Sequence, residues 1–402
     1  MTIKRICLFI CCLSLTVAVM AQKKEMAQAR TYLKSGKDFD KAERLMTTLL
    51  AKDSANRQDK KIYDIWYETV RMQYEAANEK LYLKQKYDTA QFFGLVHRMF
   101  QVAETLDSLD ARPDKKGRVR PDYRERHAAY LHQVRRNLYF GGAYQVRKNN
   151  FDEAFKFFNT YIDAANQPLF TEYEYEQNDT LMPSAAYWAT YSAFRLEHPD
   201  SVLRYHQLAL RDSSRRDYIL QYVSEAYLRQ HNDTAYAATL RAGFDASPEH
   251  PYFFPRLADY YTAAGRPDSV LALANRGLKV NDQNQIFLLG KSVALLSLER
   301  YDECIESSER LIALNDTLPE PYFMIATVNL NRALELEQLK EPRKYRTQLT
   351  KLYTQARPYM ETYRKLAPDS AQRWAPALYR IYLNLNMGKQ FEEVDRVLKK
   401  MK

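Results

Sequence analysis

Glycine is scarce in this chain, 10 residues in 402, and the scarcity excludes much. Tight-turn β folds and glycine-rich phosphate loops need backbone that glycine supplies most readily. No Gly-x-Ser-x-Gly elbow and no His-Glu-x-x-His pair is present. Cysteine is nearly as sparse. Cys7, Cys11 and Cys12 fall within the first turns of the chain, leaving only Cys304 downstream. A chain lacking those three can form no intrachain disulfide, and a lone cysteine in a helical sequence reads as a small buried side chain. Apolar runs long enough to span a bilayer are absent after residue 20.

What is present begins with a leader. Lys4 and Arg5 precede an apolar run from Ile6 to Met20, and Val19 and Ala21 supply small residues before Gln22. That layout is a cleaved export signal over 1–21. A lipid anchor would need a small residue before Cys11 or Cys12, where Ile10 and Cys11 stand instead. The expected location is the periplasm, with the wider cell envelope or secretion as the alternatives. Loss of Lys4 and Arg5 takes the formal net charge from +10 to +8.

The remainder is written as short amphipathic helices in pairs. Phe254, Leu257, Ala258 and Tyr261 share one helical face; a break follows at Gly265-Arg266-Pro267; Val270, Leu273, Ala274, Gly277 and Leu278 share a second. Stepping by 34 residues recovers the pattern. One step back lie Ala226, Tyr227, Leu240, Gly243 and Phe244, and one step forward Ile286, Leu289, Gly290 and Cys304. Phe151-Asp152-Glu153-Ala154 and Phe39-Asp40-Lys41-Ala42 open second helices with an aromatic, an acid and a small residue. This series resembles the tetratricopeptide repeat (TPR) family, of an exported Gram-negative type. The resemblance implies an all-α fold, an α-solenoid of antiparallel helix pairs in a right-handed superhelix whose first helices line a concave face. Nine units are expected near 23–56, 71–104, 135–168, 183–216, 217–250, 251–282, 283–318, 319–368 and 371–402. A single pair cannot bury its apolar stripe, so neighbours must stack.

Two stretches leave the register. Residues 111–124 carry prolines, a glycine and basic residues, and read as a loop or joint between N-terminal repeats (22–110) and a main array (125–402). The unit at 319–368 is long, and reads as a protruding helical hairpin turning near Glu341-Pro342.

No catalytic residues, no metal ligands and no cofactor site emerge, so the chain reads as a non-enzyme. His127 and His132, five apart, are split across a helix rather than paired on one face. Binding is the expectation instead. Arg147, Arg195 and Arg229 recur at the ends of three successive first helices, and with Tyr139, Tyr187, Tyr191, Gln221 and Tyr252 they are candidates for a partner-binding groove. The family's two-carboxylate clamp for chaperone tails is not matched by Tyr218, Gln221, Tyr222 and Glu225. Basic runs at 112–136 and 340–365 suggest acidic protein segments, anionic glycans or lipid headgroups; export argues against nucleic acid, and peripheral membrane contact stays open. The expected function is a scaffold holding a protein partner in the cell envelope, with a glycan-binding envelope protein as the alternative. Asp-(Ser/Thr)-apolar tripeptides place hydroxyls at Ser54, Thr89, Ser108, Thr180, Ser201, Thr234, Ser269, Thr317 and Ser370. They resemble O-glycosylation acceptors of exported Gram-negative proteins, although Asp and Ser/Thr also favour helix starts.

Overall fold

The computed structural model describes residues 20–340 and 342–401, so most of the expected leader lies outside the described residues. Among them the regular structure is helical, without strands. In chain order the helices are α1 (20–35), α2 (Phe39–Lys52), α3 (Lys60–Tyr82), α4 (Thr89–Asp110), α5 (Arg124–Val134), α6 (Arg136–Arg147) and α7 (Phe151–Asp163). There follow α8 (Tyr175–Asn178), α9 (Met182–Arg195), α10 (Pro199–Ala209), α11 (Arg216–Arg229), α12 (Asp233–Ala246), α13 (Phe253–Ala263) and α14 (Pro267–Val280). The last six are α15 (Gln285–Ser297), α16 (Tyr301–Leu314), α17 (Glu320–Glu337), α18 (Arg346–Leu366), α19 (Ala371–Asn384) and α20 (Gly388–Met401).

Every expected unit contains two helices. The second one is longer than its sequence signal: α3 starts at Lys60 rather than near 71, because the Asp59 carboxylate caps it by accepting from the Lys61 amide at 3.0 Å. The chain divides into two compact units, Met1–Gln230 and His231–Lys402. In the first, α3 packs on α4, α6 on α7 and α9 on α10, and α4–α6, α7–α9 and α10–α11 contacts join successive pairs. In the second, each helix from α12 to α20 likewise packs on its chain neighbour. Aromatic residues fill the core of the first unit, with Phe100, Phe158, Tyr161 and Phe170 almost wholly buried.

Two devices repeat at 34 residues. Glu197, His231, Gly265 and Glu299 all hold positive φ, at 59°, 54°, 65° and 58°. At Gly265 the chain closes as a Schellman turn: its N–H bonds Thr262 O at 3.0 Å, and the Arg266 N–H bonds Tyr261 O at 2.9 Å. Glu299 and Arg300 make the same pair of bonds to Leu296 and Leu295. The Gly265-Arg266-Pro267 break is thus the turn within a repeat, with Pro267 opening α14. Exposed Glu299 adopts this left-handed conformation against its preference. Glu299→Gly is therefore expected to raise stability by about 0.5–1 kcal/mol, the relieved strain exceeding glycine's extra unfolded-state entropy. A lower urea midpoint would contradict this.

The second device is a glycine facing a phenylalanine. Gly243 lies against the ring of Phe253, and one period later Gly277 lies against Phe287. A Cβ on Gly243 would sit 2.2 Å from Phe253 Cε1. Only a bare backbone lets α12 and α13 approach this closely.

The unit at 319–368 has helices of 18 and 21 residues, and Glu341, where its turn is expected, lies outside the described residues. Glu337, near the end of α17, accepts from the Tyr353 hydroxyl and pairs with Arg380, whose Nε donates to Tyr353 Oη at 2.9 Å. The stretch 111–135 and the irregular segment 164–181 depart from the repeat in the first unit, and they pack together where α5 meets the 3₁₀ turn Pro168–Tyr173.

Candidate functional site

Arg147, Arg195 and Arg229 do end α6, α9 and α11, all within the first unit. There each cation complements the helix dipole. Two of them also reach back to the preceding repeat. Arg195 lies 4.4 Å over the Phe151 ring and donates to Tyr191 Oη at 2.7 Å. Arg229 pairs with Glu197 at 2.9 Å. Arg147 is exposed.

The aromatic candidates gather around Arg195. Tyr187 and Tyr191 stack 6.5 Å apart, and Tyr191 lies 5.8 Å from Tyr222, which stacks on Phe194 at 4.5 Å. The Arg215 guanidinium covers the Tyr187 ring at 4.5 Å, a contact with no counterpart among the sequence candidates. Tyr139 stands at the start of this surface, its hydroxyl 2.9 Å from Ser184 Oγ. Gln221 is half-buried on α11. Tyr252 belongs to the second unit, where it is 6 % exposed beneath Arg256. Of these rings Tyr187 and Tyr222 belong to the buried core, and Tyr191 is half-buried beside the exposed Arg195.

The basic run at 112–136 folds differently from a free cationic patch. Arg118 pairs with Asp114 and Arg124 with Asp107, each at 2.7 Å, and Arg126 reaches Asp64 at 3.0 Å. Arg135 is the extreme case, 4 % exposed and clamped between the rings of Tyr161 and Tyr175 at 3.8 Å each. It pairs with Asp179 and donates to Tyr161 O at 2.8 Å. Burial works to raise the Asp179 pKa, but hydrogen bonds from Tyr161 and Arg135 outweigh it and hold the carboxyl below its ordinary range.

Above this clamp is a cavity of about 510 Å³, lined by His132, Gln133, Arg136, Tyr173, Tyr175 and Asn178 among others. His132 stacks on Tyr173 at 4.2 Å and bonds Tyr175 Oη at 2.9 Å. The sequence signals were an arginine pair between two helices and the run Tyr173–Asp179, rich in tyrosine and acid. The second lies where the 34-residue register is lost, between the units expected at 135–168 and 183–216.

The nine tripeptide hydroxyls all keep some exposure, with Ser54, Ser108, Thr180, Thr234 and Thr317 exposed and Thr89, Ser201, Ser269 and Ser370 half-buried. Several of their aspartates serve the backbone: Asp88 accepts from the Gln91 amide and Asp179 from the Leu181 amide. Asp107, by contrast, is buried inside α4 against Arg124. Cys304 is fully buried, and burial pushes its thiol up to about 11, so it is the inert small side chain its setting suggested.

Helix pairs, a shared left-handed turn and glycine–aromatic contacts at a common interval define the class: an all-α, TPR-like array of helix pairs. No family model and no curated relative matches the chain. Among solved structures it is similar to the C-terminal part of a TPR repeat-containing protein from Cytophaga hutchinsonii, at 12% identity and a TM-score of 0.43 over 63% of this chain and 91% of that one. Yeast Tom70 is similar at 12% identity and a TM-score of 0.34, over 95% and 91% of the two chains. The repeat assignment rests on this chain's own geometry.

Proposed function

We propose that this chain is an exported, non-catalytic scaffold that holds a protein partner in the cell envelope. The observation that carries the reading is the surface along α6, α9 and α11. There a terminal arginine recurs from helix to helix beside the contiguous rings of Tyr187, Tyr191 and Tyr222. Such a surface suits an acidic segment carrying apolar or aromatic side chains. The exposed cations meet its charge, and half-buried Tyr191, braced by the buried rings of Tyr187 and Tyr222, offers an aromatic edge beside them.

The test is crosslinking and co-purification from intact envelopes, comparing wild type with a variant carrying Arg147→Glu, Arg195→Glu and Arg229→Glu. We expect a partner with wild type and its loss with the variant. Retention by both would remove this surface from the function. Absence of any protein partner, with direct binding to a purified polysaccharide, would replace the proposal by the glycan-binding alternative.

A further inference from the structure

α3 and α5 bring three metal-ligating side chains together. Asp64 and Glu68, one helical turn apart on α3, face His127 of α5, and one donor atom from each lies within 4.8 Å of the other two. His127 Nε2 is 3.9 Å from Asp64 Oδ1 and 3.9 Å from Glu68 Oε1. A single nitrogen stands where these lone pairs converge: Arg126 Nη2, at 3.0 Å from Asp64, 3.3 Å from Glu68 and 3.1 Å from His127. The cluster therefore already seats a cation. That cation is on a side chain 61% exposed, able to swing into water.

A second observation concerns Tyr67. It is 1 % exposed, its ring lies tilted against His127 with centroids 4.0 Å apart, and its hydroxyl has no hydrogen-bond partner. It lines the same cavity of about 360 Å³ as Glu68, Arg126 and His127. A buried hydroxyl without a partner is a costly arrangement that a ligand or an ordered water would relieve.

We infer that Asp64, Glu68 and His127 form a binding site for a divalent first-row transition cation, which enters by displacing the Arg126 guanidinium. Two carboxylate oxygens and one imidazole nitrogen suit zinc, cobalt, manganese or iron better than the all-oxygen preference of calcium or magnesium. Metal–ligand bonds of about 2.0–2.2 Å need the three donors, now 3.0–3.3 Å from Arg126 Nη2, to draw in by about 1 Å. Burial, with Arg126 and Arg71 nearby, holds the His127 pKa down at about 3, so its imidazole is neutral and ready to coordinate at ordinary pH. Arg71 donates to Glu68 Oε2 at 2.8 Å and leaves Oε1 to the cation. The three protein donors leave further positions for water, which could also reach the Tyr67 hydroxyl in the same cavity.

The test uses the full chain titrated with Zn²⁺ by calorimetry and with Co²⁺ by its visible absorption. One saturable ion per chain is expected. Asp64→Asn and Glu68→Gln, which keep side-chain shape, should each weaken it on the order of 10–100-fold, at least what loss of an outer partner causes. Arg126→Ala should tighten it about fivefold, by removing a competing half-exposed ion pair. A misfolded variant could not produce that gain. No saturable binding by either wild type or Arg126→Ala would overturn the site. So would binding that both isosteric variants leave unchanged.

Discussion

Arg135→Ala is expected to destabilise the first unit by about 3–5 kcal/mol, the scale of removing one partner from a buried ion pair. The loss is large because Asp179 would lose the cation it pairs with. Its remaining donors would be the Tyr161 hydroxyl and the Leu181 amide, and the gap between the Tyr161 and Tyr175 rings would stand open. Lysine should not rescue it. An ammonium group is compact and strongly hydrated, and cannot fill a slot between two rings while also donating in a plane. Adding Asp179→Asn to Arg135→Ala should recover part of the loss, because the stranded charge is then gone. Urea unfolding followed through the near-ultraviolet tyrosine signal measures all three. A drop of only about 0.5 kcal/mol, typical of a surface pair, would show that the clamp is decorative.

Gly243→Ala is expected to cost about 2 kcal/mol. Crowding a Cβ against the buried Phe253 ring costs about 3 kcal/mol at the upper end of overpacking, and the helix-forming preference of alanine returns about 1 kcal/mol. Gly94→Ala provides the control. Gly94 also lies within a helix, but a Cβ there meets nothing within 4 Å, so the same change should stabilise by up to about 1 kcal/mol. Opposite signs would assign the effect to the α12–α13 approach rather than to glycine chemistry. Phe253→Leu should soften the loss in Gly243→Ala. Equal melting shifts at both glycines would contradict the argument.

The fold was legible because its signals are local. Spacings such as Leu257–Tyr261 and breaks such as Gly265-Arg266-Pro267 are written within one repeat, and the 34-residue echo of Gly243 in Gly277 needs no knowledge of packing. The start of α3 was not legible: Lys60 and Lys61 continue a polar stretch, and only the Asp59 cap marks the boundary. The pockets of the first unit were legible only in part. Arg124, Arg126 and Arg135 read as part of a basic run suited to anionic partners, but their carboxylates lie 17, 62 and 44 residues away. Sequence distance hides such pairs, since charge alone does not tell a helix face in water from a buried clamp. The cluster at His127 was missed for the same reason: its acids belong to a different helix pair.

The packing of each helix on its chain neighbours bears on how such a molecule is made. In the second unit the widest regular reach is one helix further along, as between α13 and α15 or α15 and α17. Closing contacts of that span costs little loop entropy, and topologies built from them fold quickly. A chain delivered end-first through a narrow exit can therefore bury one apolar stripe as soon as the next has emerged. At no moment does it wait for a distant strand or a far terminus. Order can advance along the polypeptide at the pace of its delivery, with little sticky surface left open behind the front.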